Sequence, residues 1–434
     1  MSKRKRPETG YRYTDDAQGD EDDWTKDAQC DSEGQAVPSN LRCAKDNPTM
    51  DNDAFLRSAA YCRELQREIE RKANAKILPS VQQSIQKQQQ RILWSLVQYV
   101  NRDAITLNEE IFCSVTQLAN DLIFSSESRC KLEPKRRNEE EWIDGWMAAE
   151  ENDKDSYCLE SSVWSVHQLV YELVLKVLLS SGSLDARIVS TYWNASLLCK
   201  VVKLFNSPDA RERDYILSII HIFYKTMIKF RRIIRKLICN RFQSIVFEKD
   251  ESAEGIAEML EFCHSIIRGF AVPLRKEHEE YLMHCLLPLH KFVDIESFYP
   301  PLLFCIMAYL EKDPRLAPRI LNYLFRCWPI SNSSKEVLFL NHLEEILAAT
   351  PADILGNTIW KATHRIGKCM ASFHSHVSHR AFLILENAQV WSLLLTFREK
   401  AFPILVNYVE QVISSHWNNN ILQIASVWYE RFKA

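Results

Sequence analysis

The sequence predicts an all-α protein: a superhelical α-solenoid of HEAT-like helix pairs, preceded by a disordered N-terminal tail. Only nine of the 434 residues are glycine, too few for the turns that hairpins and phosphate loops require. Apolar residues recur at three- and four-residue spacing from about residue 53 onward, which is the period of an α-helix. Pro318 and Pro403 are each followed by Asn-Tyr four and five residues later, and their offset of 85 residues is about two HEAT or armadillo periods. A compact helical bundle is the alternative, disfavoured because so many helices exceed what one core usually supports.

The N-terminal tail, residues 1–52, is rich in acidic residues and poor in aliphatic ones, so we expect it to be disordered. Its basic cluster at Lys3, Arg4, Lys5 and Arg6 fits a nuclear import signal, and a solvated basic tail is the alternative. We therefore expect a cytoplasmic protein that also enters the nucleus if this signal works. Residues 53–434 are predicted to form the solenoid, with an irregular charged loop at 125–155.

Two segments show the helical patterns most clearly. Ser333-Ser334-Lys335-Glu336 fits a capping box that opens a helix, with Leu340, Leu343 and Leu347 on its buried face. Further upstream, one helix face is predicted from a run of apolar side chains: Ile256, Met259, Leu260, Cys263, Ile266, Ile267 and Phe270.

Composition excludes several classes of protein. The formal charge of −3 excludes a globally basic nucleic-acid binder, and we find no apolar run that predicts membrane insertion. The 13 cysteines include no C-x-x-C pair, and Cys263 and Cys305 lie in apolar helical patterns. This usage indicates free thiols in the core of an intracellular protein rather than a disulfide or zinc framework.

No catalytic motif is present, so we expect no enzyme, no catalytic residue and no cofactor. His374, His376 and His379 have a spacing that a metal site can use, but Cys369 is the nearest additional ligand and we predict no metal site. The adjacent Glu344 and Glu345 are interpreted as a solvated helix face.

The strongest local anomaly is the segment 225–241, which carries seven cations and no acid. In a continuous helix its basic side chains would share one stripe with an imidazole and a phenol: His221, Tyr224, Ile228, Arg231 and Arg235. Such a stripe suits a short peptide with apolar anchors followed by a carboxylate or phosphate, because Arg matches the geometry of both groups. This inference is conditional on the absence of a helix break near Phe230.

Two alternatives remain open for the basic segment. It is equally well explained as the polar side of an ordinary repeat helix. Nucleic acid is a third option, disfavoured because the stretch is short and its interleaved residues are aliphatic rather than aromatic.

Nine short segments, taken in their order along the chain, give further evidence about the class of protein. They are NSPDARERD (206–214), IRK (234–236), GIAE (255–258), IIRGFAVPL (266–274), LPLH (287–290), LEKDP (310–314), KEVLFLN (335–341), LEEIL (343–347) and HWN (416–418). In sequence and order they resemble the B-prime family of regulatory subunits of protein phosphatase 2A, which are pseudo-HEAT-repeat solenoids. The resemblance is dense from about Trp164 to Trp417 and fainter from Ala54 to Ile123.

The resemblance implies a non-catalytic subunit that docks on the phosphatase's scaffold subunit and contacts its catalytic subunit. It also implies a groove that recruits substrate or adaptor proteins through short acidic-apolar L-x-x-I-x-E motifs. The scaffold-facing loop carried over contains Ser207, Asp209, Arg211, Glu212 and Arg213. The groove carried over contains His221, Tyr224, Arg231, Arg235, Glu261, Phe262, Ile266, Arg275 and His278. In it, Phe262 and Ile266 would form an apolar wall, and the two arginines of the basic segment would pair the motif's Glu.

The chain departs from the family pattern at several groove positions. Ile222 stands where Arg is usual, Phe262 where an aliphatic residue is usual, and Arg275 where Lys is usual, while Lys225 and Lys229 replace small residues. We therefore predict a retained groove that depends less on phosphorylation of the motif. A HEAT-type adaptor or transport scaffold with no phosphatase partner is the alternative function.

Overall fold

The computed structural model describes residues 51–74, 79–101, 107–124, 161–180, 186–247 and 253–433. Asp51–Ala434 forms one compact unit. The expected tail, with its basic cluster, and the charged loop at 125–155 lie outside the described residues, except for the tail's last two positions. All regular elements of the described ranges are helical, so the all-α prediction is confirmed.

The helices follow one another along the described ranges. In the first half they are α1 Asn52–Asn74, α2 Pro79–Val100, α3 Glu109–Ala119, α4 Ser161–Ser180, α5 Ala186–Tyr192, α6 Ala195–Lys203, α7 Ala210–Thr226, α8 Arg231–Phe247 and α9 Ile256–Arg268. In the second half they are α10 Lys276–Tyr281, α11 Tyr299–Lys312, α12 Ala317–Arg326, α13 Ser333–Ala349, α14 Ala352–Leu355, α15 Thr358–Met370, α16 Ser375–Leu383, α17 Ala388–Thr396, α18 Arg398–Ser415 and α19 Asn419–Lys433.

These helices stack in two layers, as in an α-solenoid. In one layer each helix packs on the next of the series α2, α4, α7, α9, α11, α13, α16 and α19. In the other layer α1 packs on α3, α6 on α8, α12 on α15 and α15 on α18. Pro318 and Pro403 lie in α12 and α18, which sit on either side of α15. This placement is the one that an offset of two repeats predicts.

The predicted helix face forms α9 from Ile256 to Ile267, while Phe270 lies just beyond the end of the helix; these apolar side chains are buried, and α9 packs between α7 and α11. Met259, Leu260 and Cys263 are fully buried, and each large apolar side chain removed from water contributes about 1.5–3 kcal/mol. The helix is preceded by Gly255, whose φ of +73° suits glycine. A Cβ at this position would lie 2.0 Å from the Phe205 carbonyl oxygen.

The start of α13 differs in detail from the predicted capping box. Asn332 is the N-cap, and its side-chain oxygen accepts a hydrogen bond from the Lys335 backbone N–H at 3.0 Å. The Glu336 carboxylate does not return to the cap, because it accepts a hydrogen bond from the Trp328 indole at 2.7 Å. Leu340, Leu343 and Leu347 are buried as predicted.

Helix α4 is the one described helix that is long and apolar enough, by length and composition, to cross a membrane. In the structure it packs against α2, α3 and α7, and Val170, Tyr171 and Leu173 are fully buried. A core helix of a helical-repeat protein meets the same criteria.

Candidate functional site

The proposed stripe does not lie on one continuous helix. Helix α7 ends at Thr226, a 3-10 turn spans Ile228–Phe230, and α8 begins at Arg231. The break occurs at Met227, whose φ of −108° and ψ of 83° are not helical. It turns Ile228 outward, to 72% exposure, and removes this side chain from the stripe. The condition attached to the stripe therefore fails.

The break nevertheless brings the two groove arginines back onto α7. Arg231 donates from Nε to the Tyr224 carbonyl at 2.8 Å and from Nη2 to the Lys225 carbonyl at 3.3 Å. Arg235 donates from Nη1 to the Tyr224 hydroxyl at 2.9 Å. Because Arg has five N–H donors in a fixed fork, each guanidinium keeps donors beyond these bonds. The arginines are thus held in place and still able to bind an anion.

Three rings form the apolar floor beside these arginines. The Phe262 ring lies 5.0 Å from that of His221 and 5.4 Å, edge to face, from that of Tyr224. Phe262 itself is fully buried and Ile266 is 6% exposed. Phe262 and Ile266, which were expected to form an apolar wall for the anchors, are therefore covered, and the Phe262 ring lies against the rings of His221 and Tyr224. Burial lowers the pKa of His221, so this floor is uncharged at neutral pH.

Helix α10 supplies the other side of the site. His278 is buried and stacks on Phe270 with the ring centroids 3.8 Å apart. Its Nδ1 has no hydrogen-bond partner, and burial, with Arg235 and Arg275 nearby, lowers the pKa of the imidazole. Arg275 precedes the helix as its exposed N-cap residue. His278 therefore has a buried, unpaired ring nitrogen beside the basic side chains.

Glu277 is the one groove residue that the sequence did not single out. Its Oε1 lies 3.4 Å from Arg235 Nη2 and 3.7 Å from His278 Nε2. The Arg235 side chain is 13% exposed and that of Glu277 42%. No local pattern reveals this pair, because the partners are 42 residues apart on different helices. An internal carboxylate therefore already faces the cation that is expected to bind an acidic ligand.

The remaining predicted groove residues lie toward solvent. Glu261 is exposed on α9, and partial burial, together with Glu258 and Asp214, raises the pKa of its carboxyl. Lys225 and Lys229 are exposed near the α7–α8 break. Ile222 is partly buried and, as an aliphatic residue, supplies no cation at a position where the family usually has Arg. The site thus combines an aromatic floor, two guanidinium groups that are held by hydrogen bonds, and two exposed lysines.

The side chains of the predicted scaffold-facing loop mostly point inward. Asp209 is 1% exposed and caps α7, accepting from the Arg211 backbone N–H at 2.9 Å and from its guanidinium at 2.7 and 3.0 Å. Glu212 is buried and accepts from the Tyr171 hydroxyl at 2.7 Å. Arg213 pairs with Glu258 at 2.6 Å, and Ser207 is buried. The exposed residues of this segment are Asn206 and Pro208 before α7 and Ala210, Arg211 and Asp214 at its start.

The histidine cluster at 374–379 has little support as a metal site. His374 is the N-cap residue of α16, and its ring lies 5.7 Å from that of His376. No group of three metal-ligating side chains with suitable geometry occurs within the described residues. A surface depression of about 840 Å³ lies beside Glu109, Cys113 and Tyr192 and contains none of the groove residues.

The two-layered stack of helix pairs defines the class: a helical-repeat protein. The family model for protein phosphatase 2A regulatory B subunits, the B56 family, matches residues 46–433, and the chain belongs to this family. The resemblance drawn from the short segments is thereby confirmed.

The curated relatives carry the same description. The B' kappa regulatory subunit of serine/threonine protein phosphatase 2A from rice is 40% identical over 261 residues, 60% of this chain and 51% of the relative. The B' theta and B' eta subunits from Arabidopsis thaliana are 34% and 35% identical over 329 residues, 76% of this chain and 64% and 62% of the relatives. The matched region thus spans between half and two thirds of the length of these relatives.

Proposed function

We propose that this chain is a non-catalytic regulatory subunit of a protein phosphatase 2A-type holoenzyme. In this proposal it binds the scaffold and catalytic subunits and recruits substrate or adaptor proteins. The observation that carries the proposal is the B56-family match across residues 46–433, which includes every described helix that builds the groove.

The proposed docking on the phosphatase core uses the segment 206–214, which in the structure is the turn before α7 and the first residues of that helix. Its inward contacts support a role as a rigid platform, because Asp209, Glu212 and Arg213 fix the backbone from within. Arg211 then presents a charged group at the surface of that platform, with its side chain 44% exposed.

The proposed substrate site is the groove between α7, α8, α9 and α10. The acidic residue of an L-x-x-I-x-E-like motif pairs with Arg231 and Arg235, and its apolar anchors pack on the rings of His221 and Tyr224. Ile222 adds no cation, so a phosphate on the motif gains less binding energy here than it would in a site with a third guanidinium group. We therefore expect peptide binding to depend only weakly on phosphorylation. A phosphoserine peptide that binds far more tightly than its unphosphorylated form would contradict this part.

The holoenzyme proposal is tested by reconstitution. Full-length chain is mixed with purified scaffold and catalytic subunits, and the mixture is analysed by size-exclusion chromatography and an okadaic-acid-sensitive phosphatase assay. We expect one ternary complex with activity. If the folded chain elutes alone, the holoenzyme proposal is wrong, and the adaptor alternative takes its place.

The groove proposal needs a separate variant. Arg235→Ala is preferred over Arg231→Glu, because Arg231 also bonds the backbone at the α7–α8 break. Arg232→Ala is the matched control, since Arg232 is an exposed arginine on the same helix and has no recorded groove contact. We expect Arg235→Ala to weaken binding of an L-x-x-I-x-E peptide at least about tenfold, the cost of losing a charge-assisted hydrogen bond. Equal affinities of the two variants would remove the groove from the proposal.

Localisation is part of the proposal as well. The basic cluster Lys3–Arg6 acts as a nuclear import signal in a chain that is otherwise cytoplasmic. A fluorescent fusion of the full chain, compared with a variant in which these four residues are replaced by alanine, tests it. The same distribution for both would exclude the signal.

A further inference from the structure

The outward sides of α6 and α8 carry charge of one sign. These helices pack against each other in the same layer of the stack, so the side of each that faces away from the other layer meets solvent. Their sequences contain seven lysines and arginines and no acidic residue. Arg231 and Arg235 turn toward α7 and Arg241 is buried. The four cations that remain are exposed: Lys200, Lys203, Arg232 and Lys236.

Helical spacing arranges these four cations in two short rows. Arg232 and Lys236 are four residues apart on α8, and Lys200 and Lys203 are three residues apart on α6. Residues at these spacings lie on one face of a helix. Because the axes of packed helices are about 8–10 Å apart, the two rows lie beside each other and form one patch.

The corner between α7 and α8 extends the patch. Lys225 lies in the last turn of α7 and Lys229 in the 3-10 turn that follows, and both are exposed. The bond from Arg231 to the Lys225 carbonyl fastens this corner to the first turn of α8. Six exposed cations therefore form a surface that we call the basic face: Lys200, Lys203, Lys225, Lys229, Arg232 and Lys236.

The charge of the basic face is not balanced from within. Arg235, which turns toward the groove, pairs with Glu277, but in the described parts of the chain none of the six cations forms an ion pair with a carboxylate. Lys200 donates to the Asn120 side-chain oxygen at 3.0 Å, a neutral acceptor that leaves the charge in place. Since the whole chain has a formal charge of −3, this positive field is local.

An exposed aliphatic side chain lies among these cations. Ile228 is 72% exposed, and it stands between Lys225 and Lys229 in the sequence. Phe230, two residues later, is buried against Phe223, with the two rings 5.4 Å apart. The turn that buries Phe230 thus presents Ile228 to solvent. Apolar side chains flanked by lysines and arginines are typical of surfaces that lie on the headgroup region of a bilayer.

We propose that the basic face binds the anionic surface of a phospholipid bilayer, with Ile228 inserted among the headgroups. Each lysine or arginine close to an anionic leaflet strengthens binding about fivefold. The cations are spread over two helices and a corner, which suits a plane of many phosphates better than one phosphate held by converging donors. Single-stranded nucleic acid fits less well, because the apolar residue among the cations is aliphatic and bases stack on aromatic rings.

A bilayer on the basic face leaves the proposed groove accessible. The groove arginines turn from α8 toward α7, whereas Arg232 and Lys236 project from a different side of α8. The bound chain therefore holds its substrate site next to the membrane, a consequence that rests on the proposed function. Lipid binding itself does not depend on the groove.

The first test is co-sedimentation of the full chain with vesicles. The cluster Lys3–Arg6 is replaced by alanine in every sample, because these four cations also attract anionic lipid. We expect binding to vesicles of phosphatidylcholine mixed with phosphatidylserine and none to phosphatidylcholine alone. Raising the salt from about 0.1 M to about 1 M shortens the screening length from about 10 to about 3 Å and is expected to release the chain. No binding to the phosphatidylserine vesicles overturns the proposal.

Two triple variants with the same loss of charge locate the binding surface. The first removes three cations of the basic face: Lys203→Gln, Arg232→Gln and Lys236→Gln. The matched control removes three exposed cations from α12, α15 and α18: Arg326→Gln, Lys368→Gln and Lys400→Gln. We expect the first to bind the vesicles at least about tenfold more weakly and the control to bind nearly as the parent does. Equal weakening of both assigns the attraction to total charge and overturns the basic face.

A second pair of variants tests the insertion of Ile228. Ile228→Ser is expected to weaken vesicle binding about tenfold, the lower end for burial of a side chain of this size. Ile330→Ser is the matched control, because Ile330 is 75% exposed and lies at another corner of the stack. Equal binding by the two variants contradicts the insertion.

Competition and peptide binding complete the test. Single-stranded RNA or poly-glutamate that displaces the chain from vesicles at lower concentration than soluble phosphatidylserine vesicles do overturns lipid as the partner. An L-x-x-I-x-E peptide is measured with both triple variants by fluorescence anisotropy, and we expect the affinity of the parent in each. If vesicles bind the parent but the peptide does not, the proposed groove fails and the basic face stands.

Discussion

Replacing Glu277 with glutamine is expected to strengthen binding of an acidic peptide. Glu277 places a carboxylate 3.4 Å from Arg235 Nη2, where a ligand's carboxylate is proposed to bind. An incoming acid must share this cation with the internal one or displace it. Glutamine keeps the size of the side chain and removes its charge, so the competition is reduced while the packing is retained.

The size of the effect follows from distance and exposure. Two unit charges 3.4 Å apart attract by about 1 kcal/mol in bulk water and about 5 kcal/mol at an effective dielectric constant of 20. The Glu277 side chain is 42% exposed, so solvent screens it, and pairs of this kind contribute about 0–1 kcal/mol. Freeing Arg235 from Glu277 is therefore expected to strengthen peptide binding by up to about 1 kcal/mol, which lowers the dissociation constant about fivefold.

Fluorescence anisotropy with a labelled L-x-x-I-x-E peptide measures this change. Glu280→Gln is the matched control, because Glu280 lies on the same helix and its nearest cation is Lys276, at 4.0 Å. Glu280→Gln makes the same change in net charge without facing Arg235. The difference between the two variants therefore measures the effect of the Glu277–Arg235 contact and not that of the total charge. Equal gains in both variants, or weaker binding by Glu277→Gln, would refute the competition.

Three further predictions concern stability. Gly367→Ala places a Cβ 2.1 Å from the Tyr408 ring and is expected to cost about 1–3 kcal/mol in urea unfolding, as α15 and α18 are forced apart. Asp209→Ala removes a buried cap and its guanidinium partner and is expected to lower stability by about 1–3 kcal/mol. Burial lowers the pKa of His290 to about 4, so the unfolded chain takes up this proton first as the pH falls below about 6.5. Stability is therefore expected to fall by about 2 kcal/mol from this group between pH 7 and pH 5, measured by urea midpoints.

Each of the two substitutions has an internal control. Gly269→Ala meets its nearest atom at 3.3 Å and is expected to cost less than Gly367→Ala. Asp313 accepts the same three bonds from Arg315 that Asp209 accepts from Arg211, but it is 14% exposed instead of 1%, so Asp313→Ala is expected to be milder. Equal costs within either pair, or no loss of stability at pH 5, would contradict the arguments.

The sequence predicts those features that depend on local periodicity. The face of α9 and the buried leucines of α13 follow from apolar spacing, which tertiary packing uses without change. The N-cap of α13 is Asn332, one residue before the Ser333 that the capping box predicts, because both residue types are good caps. The Glu336 side chain turns inward because the Trp328 indole donates to it, a contact that the local sequence does not reveal. Local chemistry thus predicts that a helix starts here but leaves its first residue open.

The α7–α8 break lies beyond such local rules. The segment Met227–Phe230 contains neither glycine nor proline, and its residues are compatible with helix. What stops the helix is tertiary: Met227, Phe230 and Phe223 are buried, and the Phe223 and Phe230 rings lie 5.4 Å apart. In a straight helix Phe223 and Phe230 would lie about two turns apart along the axis, so their rings could not come this close.

The charge balance of the groove depends on contacts that join distant parts of the chain. In the sequence the basic segment carries no acid, and a strong positive site was therefore expected. In the structure the Glu277 carboxylate lies beside Arg235, and Arg231 donates two of its N–H groups to backbone carbonyls. These internal acceptors orient both guanidinium groups before a ligand arrives, which lowers the entropy lost on binding but also weakens the net attraction for an anion. Affinity in this groove is therefore expected to depend more on the fit of the apolar anchors against His221 and Tyr224 than on charge, and raising the salt concentration should weaken peptide binding only modestly.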